Sequence, residues 1–126
     1  MCLGSFIDSL AFQVEEERVD GVEVMTLHGE FDAYSMPLVG DKLDAAIESG
    51  RFEFVIDMCD VTFVDMSTLN RIMRAMKEVY RHNGHLVVAC ASRNVLRAID
   101  LAGMRHAVRV YGSRDEAFLH LRDRAA

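Results

Sequence analysis

The chain has no tryptophan, a single proline and only three cysteines in 126 residues. The odd cysteine count, with no CxxC pair, argues against a disulfide framework or a zinc knuckle. Cys59 and Cys90 lie beside apolar runs and read as small buried residues. No stretch approaches the ~20 apolar residues of a membrane span. Met1-Cys2-Leu3-Gly4-Ser5 lacks the basic start and long apolar core of a signal peptide. A cytoplasmic protein with no membrane partner is therefore expected. Positive charge is scarce too. The net charge is −6, the reverse of the basic footprint that nucleic acid requires. GxSxG, P-loop and GxGxxG motifs are missing, so nothing suggests nucleophile-plus-base or nucleotide chemistry. The histidines, His28, His82, His85, His106 and His120, have no carboxylates at ligand spacing, so neither a metal nor a cofactor is expected.

What the chain does have is periodicity. With 51% hydrophobic residues it can build a core, and its length suits one domain over 1–126, with 1–10 a loosely held lead-in. Phe12-Gln13-Val14-Glu15-Glu16 alternates like a half-buried strand, Asp20-Gly21 is a hairpin turn pair, and Val22 to Leu27 alternates again. Ser35 and Pro37 open a helix with Met36, Val39, Leu43, Ala46 and Ile47 on its apolar stripe, and Gly50 ends it. Phe52 to Asp57 reads as a buried strand, and Val61-Thr62-Phe63-Val64 as a short apolar connection. The next helix carries Leu69, Ile72, Met73, Met76, Val79 and Tyr80 on one face, and Asn83-Gly84 closes it. Leu86 to Cys90 is apolar throughout, as in a central strand covered on both faces. Ser92 opens a helix that Gly103 ends, and Ala107 to Tyr111 forms a last strand. Ser113-Arg114-Asp115-Glu116 is a capping box before a terminal helix. The order is ββαβαβαβα. It predicts an α/β fold with a mixed, mostly parallel sheet that begins with an antiparallel hairpin and has helices packed on it.

The most informative segment is Asp65-Met66-Ser67-Thr68-Leu69. It puts a serine at a helix N-terminus, where backbone N–H groups lack intrahelical partners. Ser67 there is either a helix cap or a site for a phosphate. Asp65 is a helix-start acid favoured by the macrodipole, or a neighbour that would repel such a phosphate across solvent. Met58 and Met66 match no core stripe and suit an adaptable binding surface.

Several segments in this order and spacing resemble one family. They are Gly29-Glu30-Phe31-Asp32, Val55-Ile56-Asp57, Asp60-Val61-Thr62-Phe63-Val64-Asp65, Asn83 to Val88 and Ala98 to Met104. Over roughly Phe12 to Leu121 the chain resembles the STAS domain of bacterial anti-sigma factor antagonists. The resemblance implies a partner-switching protein and not an enzyme. Its relatives bind an anti-sigma factor that is also a serine kinase of the GHKL type, and so free a sigma factor. Phosphorylation of a serine at the start of the helix after the third strand releases the complex, and a phosphatase resets the switch. By position that serine is Ser67, with Thr68 a lesser acceptor. Asp32, Tyr34, Asp65, Met66, Thr68 and Arg71 are the expected partner-binding residues. A monomer or weak homodimer is expected.

The chain departs from the family pattern of Asp, Ser or Thr, Ser, then Gly. Met66 precedes the serine, and Thr68 puts a branched side chain where glycine would admit a second backbone. That departure favours an alternative, a STAS-like sensory or scaffold module without a kinase cycle. Two further readings are weaker. Asp57 at a strand end resembles a phosphoreceiver aspartate, but no lysine follows Lys77 and the first strands form a hairpin. An enzyme using Asp57 or Cys59 has no substrate to name.

Overall fold

A computed structural model describes residues 12–125. The expected lead-in 1–10, with Cys2, lies outside the described residues. The elements are β1 (Phe12–Val19), β2 (Val22–Phe31), α1 (Met36–Glu48), β3 (Glu53–Val64), α2 (Met66–Arg81), β4 (His85–Ala89), α3 (Arg93–Leu101), a 3-10 turn (Met104–His106), β5 (Val110–Tyr111) and α4 (Arg114–Ala125). This is the ββαβαβαβα order. The five strands form one sheet in the order β1-β2-β3-β4-β5. β1 and β2 are antiparallel and every later pairing is parallel.

The hairpin turn follows from its residues. Asp20 and Gly21 both have positive φ, 51° and 82°. Two left-handed positions make the turn whose twist matches the strands. At the same end of the sheet Gly84 is required for space. A Cβ there would lie 2.0 Å from the Phe52 carbonyl oxygen, and that oxygen accepts the His85 N–H at 2.8 Å to start the β3–β4 ladder.

Alternation splits the core in two. Met25, Leu27, Phe54, Ile56, Met58, Leu86 and Val88 face one side with side chains of α1, α2 and α3. Val22, Val24, Val55, Val87 and Ala89 face the other, covered by Ala117 and Leu121 of α4. Buried parallel strands are apolar on both faces for this reason. Met58 is therefore core, 0% exposed, and not the surface methionine expected from its lack of a stripe. Cys90 is buried as expected, whereas Cys59 is only partly so.

The structure corrects other expectations. Val61 to Val64 is no connection, because β3 runs unbroken to Val64. Two register irregularities, between Thr26 and His28 and between Gly29 and Glu30, let β2 and β3 stay paired to Phe31↔Val64. The bulges hid that continuation, since each shifts the period of two. β4 is interior, but the middle strand is β3. The last strand is only Val110–Tyr111, because the Ala107 and Val108 N–H groups donate back to the Met104 carbonyl at 3.0 and 2.8 Å and continue the turn. Ser35 and Ser92 stand at helix N-cap positions without a side-chain cap bond.

Candidate functional site

The long β2–β3 pairing builds the site. Phe31 and Val64 are register partners, and the Asp65 N–H donates to the Phe31 carbonyl at 3.0 Å. The residues after each strand, Asp32 and Asp65, therefore leave the sheet side by side at its C-terminal edge. Open parallel sheets place ligands and partners at this edge.

Asp32 organises the first loop. Its Oδ1 accepts the Tyr34 N–H at 2.9 Å and the Ser35 N–H at 3.2 Å. Ser35, 1% exposed, works backward: its Oγ accepts the Asp32 N–H at 2.9 Å and donates toward the Glu30 carbonyl at 3.1 Å. That backward role explains why Ser35 does not cap α1. The closed turn presents Tyr34 to solvent, 78% exposed.

Asp65, not Ser67, caps α2. The helix begins at Met66, and Asp65 is extended at φ −100°, ψ 175°. Its Oδ1 accepts three hydrogen bonds, from Ser67 Oγ at 2.8 Å, Thr68 N at 3.0 Å and Thr68 Oγ1 at 3.1 Å. Burial by itself would raise the Asp65 carboxyl. The bonds from Ser67 and Thr68 outweigh it and hold the group below its ordinary value. An aspartate three residues before a free N–H is a standard cap pattern, so the signal for this role was present in the sequence.

Three large apolar side chains near this edge are open to solvent, Met66 at 47%, Phe63 at 49% and Tyr34 at 78%. Phe63 was missed by sequence reasoning, because a connection gives no face. Within a strand, Phe63 must point opposite to its core-facing neighbour Val64. Ser67 is partly exposed. Thr68 and Arg71 are different. Thr68 is 0% exposed, its branched side chain packed under the cap, so it offers no surface to a partner or a kinase. Arg71 donates to the Gly40 carbonyl at 3.1 Å and pairs with Asp44, its side chain 14% exposed. It ties α1 to α2 and has no free face.

The sequence model of the STAS domain matches residues 13–117. The chain belongs to the STAS domain family. Among curated relatives, the anti-sigma F factor antagonist of Paenibacillus polymyxa is 27% identical over 110 residues, 86% of this chain and 94% of the relative. The anti-sigma-B factor antagonist of Bacillus subtilis is 28% identical over 81 residues, covering 64% and 73%. An anti-sigma factor antagonist from Mycobacterium paratuberculosis superimposes with a TM-score of 0.82 at 23% identity, over 89% of this chain and 95% of that one. The phosphorylated Bacillus cell fate determinant SpoIIAA superimposes with a TM-score of 0.68 at 21% identity, over 92% and 100%.

The residues of the rival readings lie elsewhere in this STAS domain. Asp57 is 7% exposed, with the Cys59 N–H at 2.9 Å and Arg114 at 4.0 Å. Burial, the Asp57 hydrogen bond and the charges of Asp57, Cys90 and Asp60 push the Cys59 thiol up to about 12. A thiol so held is not a nucleophile at neutral pH. Burial also raises Cys90. Among the described residues no three His, Cys, Asp or Glu groups are placed to hold a metal. Nor is any described helix long and apolar enough to cross a membrane.

Proposed function

We propose that this STAS domain is an anti-sigma factor antagonist. It acts by association, not catalysis, and frees a sigma factor by occupying its anti-sigma factor. One observation carries the reading. A partly exposed Ser67 follows the exposed Met66 at the start of α2, at the sheet edge where the Asp32 loop and Asp65 leave side by side. The names of the curated relatives support the partner class. Asp32 shapes the first loop and Asp65 caps α2, whereas Thr68 is buried under that cap and Arg71 ties α1 to α2.

Ser67 is the proposed phosphoacceptor, the anti-sigma factor its kinase of the GHKL type, and a phosphatase resets it. The Ser67 Oγ now donates to Asp65 at 2.8 Å. Phosphorylation removes that proton and sets about −1.5 to −2 charges in contact with a carboxylate. Repulsion across solvent is thus too mild a description, because the two groups share a hydrogen bond. The α2 N–H groups offset part of the cost in the free domain. In a complex the phosphate would also lose water, and an unpaired buried charge costs roughly 3–5 kcal/mol. That is roughly two to four decades of affinity, enough to release a partner.

The test is to incubate the domain with its cognate anti-sigma factor, Mg²⁺ and ATP, then measure intact mass and map the site. One phosphate on Ser67, absent in Ser67→Ala, supports the switch. No phosphate while the two proteins demonstrably bind overturns it. Met66 in place of the usual hydroxyl residue favours that second outcome, and with it the scaffold or sensory module, whereas Thr68 is buried under the cap and does not obstruct a docking backbone.

A further inference from the structure

The far edge of the sheet differs in character from the rest of the molecule. β5 has two residues, Val110–Tyr111, and no strand lies beyond it among the described residues. Two adjoining depressions of ≈ 400 and ≈ 420 Å³ flank it, both lined by Tyr80, Arg109 and Tyr111, and the second also by Arg105 and His106. Neither is lined by any Asp or Glu, although the chain carries 20 acidic residues against 14 basic ones. Arg105 is engaged by Asp100 at 2.8 Å. Arg109 is exposed and makes no ion pair among the described residues. Tyr80 is 44% exposed beside it.

The backbone at this edge is open as well. Val88 N–H donates to the Arg109 carbonyl at 2.9 Å, and Cys90 N–H to the Tyr111 carbonyl at 2.8 Å. Arg109 and Tyr111 therefore turn their peptide groups toward β4. By the alternation of a strand, Val110 turns its N–H and C=O outward. An unpaired edge with a basic, aromatic border fits an extended chain of opposite charge.

We propose that the β5 edge docks an extended acidic segment of another protein. The segment pairs through its backbone with Val110 and sets a carboxylate on Arg109, while Tyr80 and Tyr111 take the apolar residues between. The edge lies near the C-terminal end of α2. Ser67 and Tyr80 are 13 residues apart on α2, which puts the edge roughly 20 Å from Ser67 at about 1.5 Å per residue. A partner here and one at Ser67 can therefore be held together.

The experiment uses the full chain, labelled with nitrogen-15, and a blocked eight-residue peptide alternating glutamate and valine. Saturable amide shifts at Arg109, Val110 and Tyr111 are expected. Arg109→Glu should weaken binding at least tenfold, and the peptide with lysine in place of glutamate should not bind. Val110→Pro removes only the outward N–H and should abolish binding with the sheet intact. If that variant does not fold, gain of the lysine peptide by Arg109→Glu decides the matter in favour of the proposal, and its absence decides against it. Shifts confined to other residues, no saturation, or unchanged affinity in Arg109→Glu overturn it. Equal shifts with inorganic phosphate overturn the segment in favour of a small anion. Concentration-dependent shifts without peptide overturn it in favour of a second copy.

Discussion

Asp65 is the residue on which the site turns. It caps α2, fixes the Ser67 hydroxyl and holds Thr68 inward through one oxygen. Asp65→Ala should cost about 1 kcal/mol, the usual loss of an N-cap, read by urea denaturation. Its carboxyl is held below the ordinary value of 3.8 in the fold. The stabilisation is therefore fully present above that value and is lost as pH falls through the lower folded value. The deficit of Asp65→Ala should accordingly shrink in acid, and a deficit independent of pH would contradict the cap. Met66 does the opposite work, since it is 47% exposed and caps nothing. Met66→Glu should weaken capture of the cognate anti-sigma factor at least tenfold by calorimetry and leave the melting temperature nearly unchanged. Equal affinity would remove Met66 from the interface.

Among the elements, β3 decides most. Its 12 residues carry the chain past the point where apolar alternation breaks, and deliver Asp65 beside the Asp32 loop. The junction at its other end is as strict. A Cβ on Gly84 meets the Phe52 carbonyl at 2.0 Å, and neither backbone can move without losing the bond that starts β4. Gly84→Ala should therefore destabilise by roughly 1–3 kcal/mol or more, the range of overpacking, seen as a lower melting temperature. A neutral result would mean that the α2–β4 connection is not so close.

At the scale of the whole molecule, three helices cover one face of the sheet and α4 covers the other. Interior strands are thus closed to water on both sides. Val88, 0% exposed in β4, illustrates it. Val88→Asp puts an unpaired charge between β4 and the helices, at a cost of several kcal/mol, against a typical total of about 5–15 kcal/mol. Loss of soluble, folded protein is expected on expression and circular dichroism. A normally stable variant would contradict the two-sided burial. The charge pattern also belongs to this scale. The acidic molecule has two chemically distinct surfaces, the start of α2 with exposed Met66 and partly exposed Ser67, and the β5 border where Arg109 makes no ion pair among the described residues.

Local chemistry in the sequence determined the element order, the hairpin at Asp20-Gly21, the buried character of β4 and the position of Ser67 at a helix start. These follow from neighbours within a few residues, by period, turn preference and capping. The length of β3 did not, because bulges between partners break the alternation that marks a strand. Nor did the inward placing of Met58, Thr68 and Arg71. Met58 lies on a strand whose face is set by pairing, Thr68 under a cap made by Asp65, and Arg71 against a carbonyl of α1. Asp32 and Asp65 are 33 residues apart in the chain. Only the tertiary structure decided that they meet, because their proximity comes from the β2–β3 register and from no property of the residues themselves.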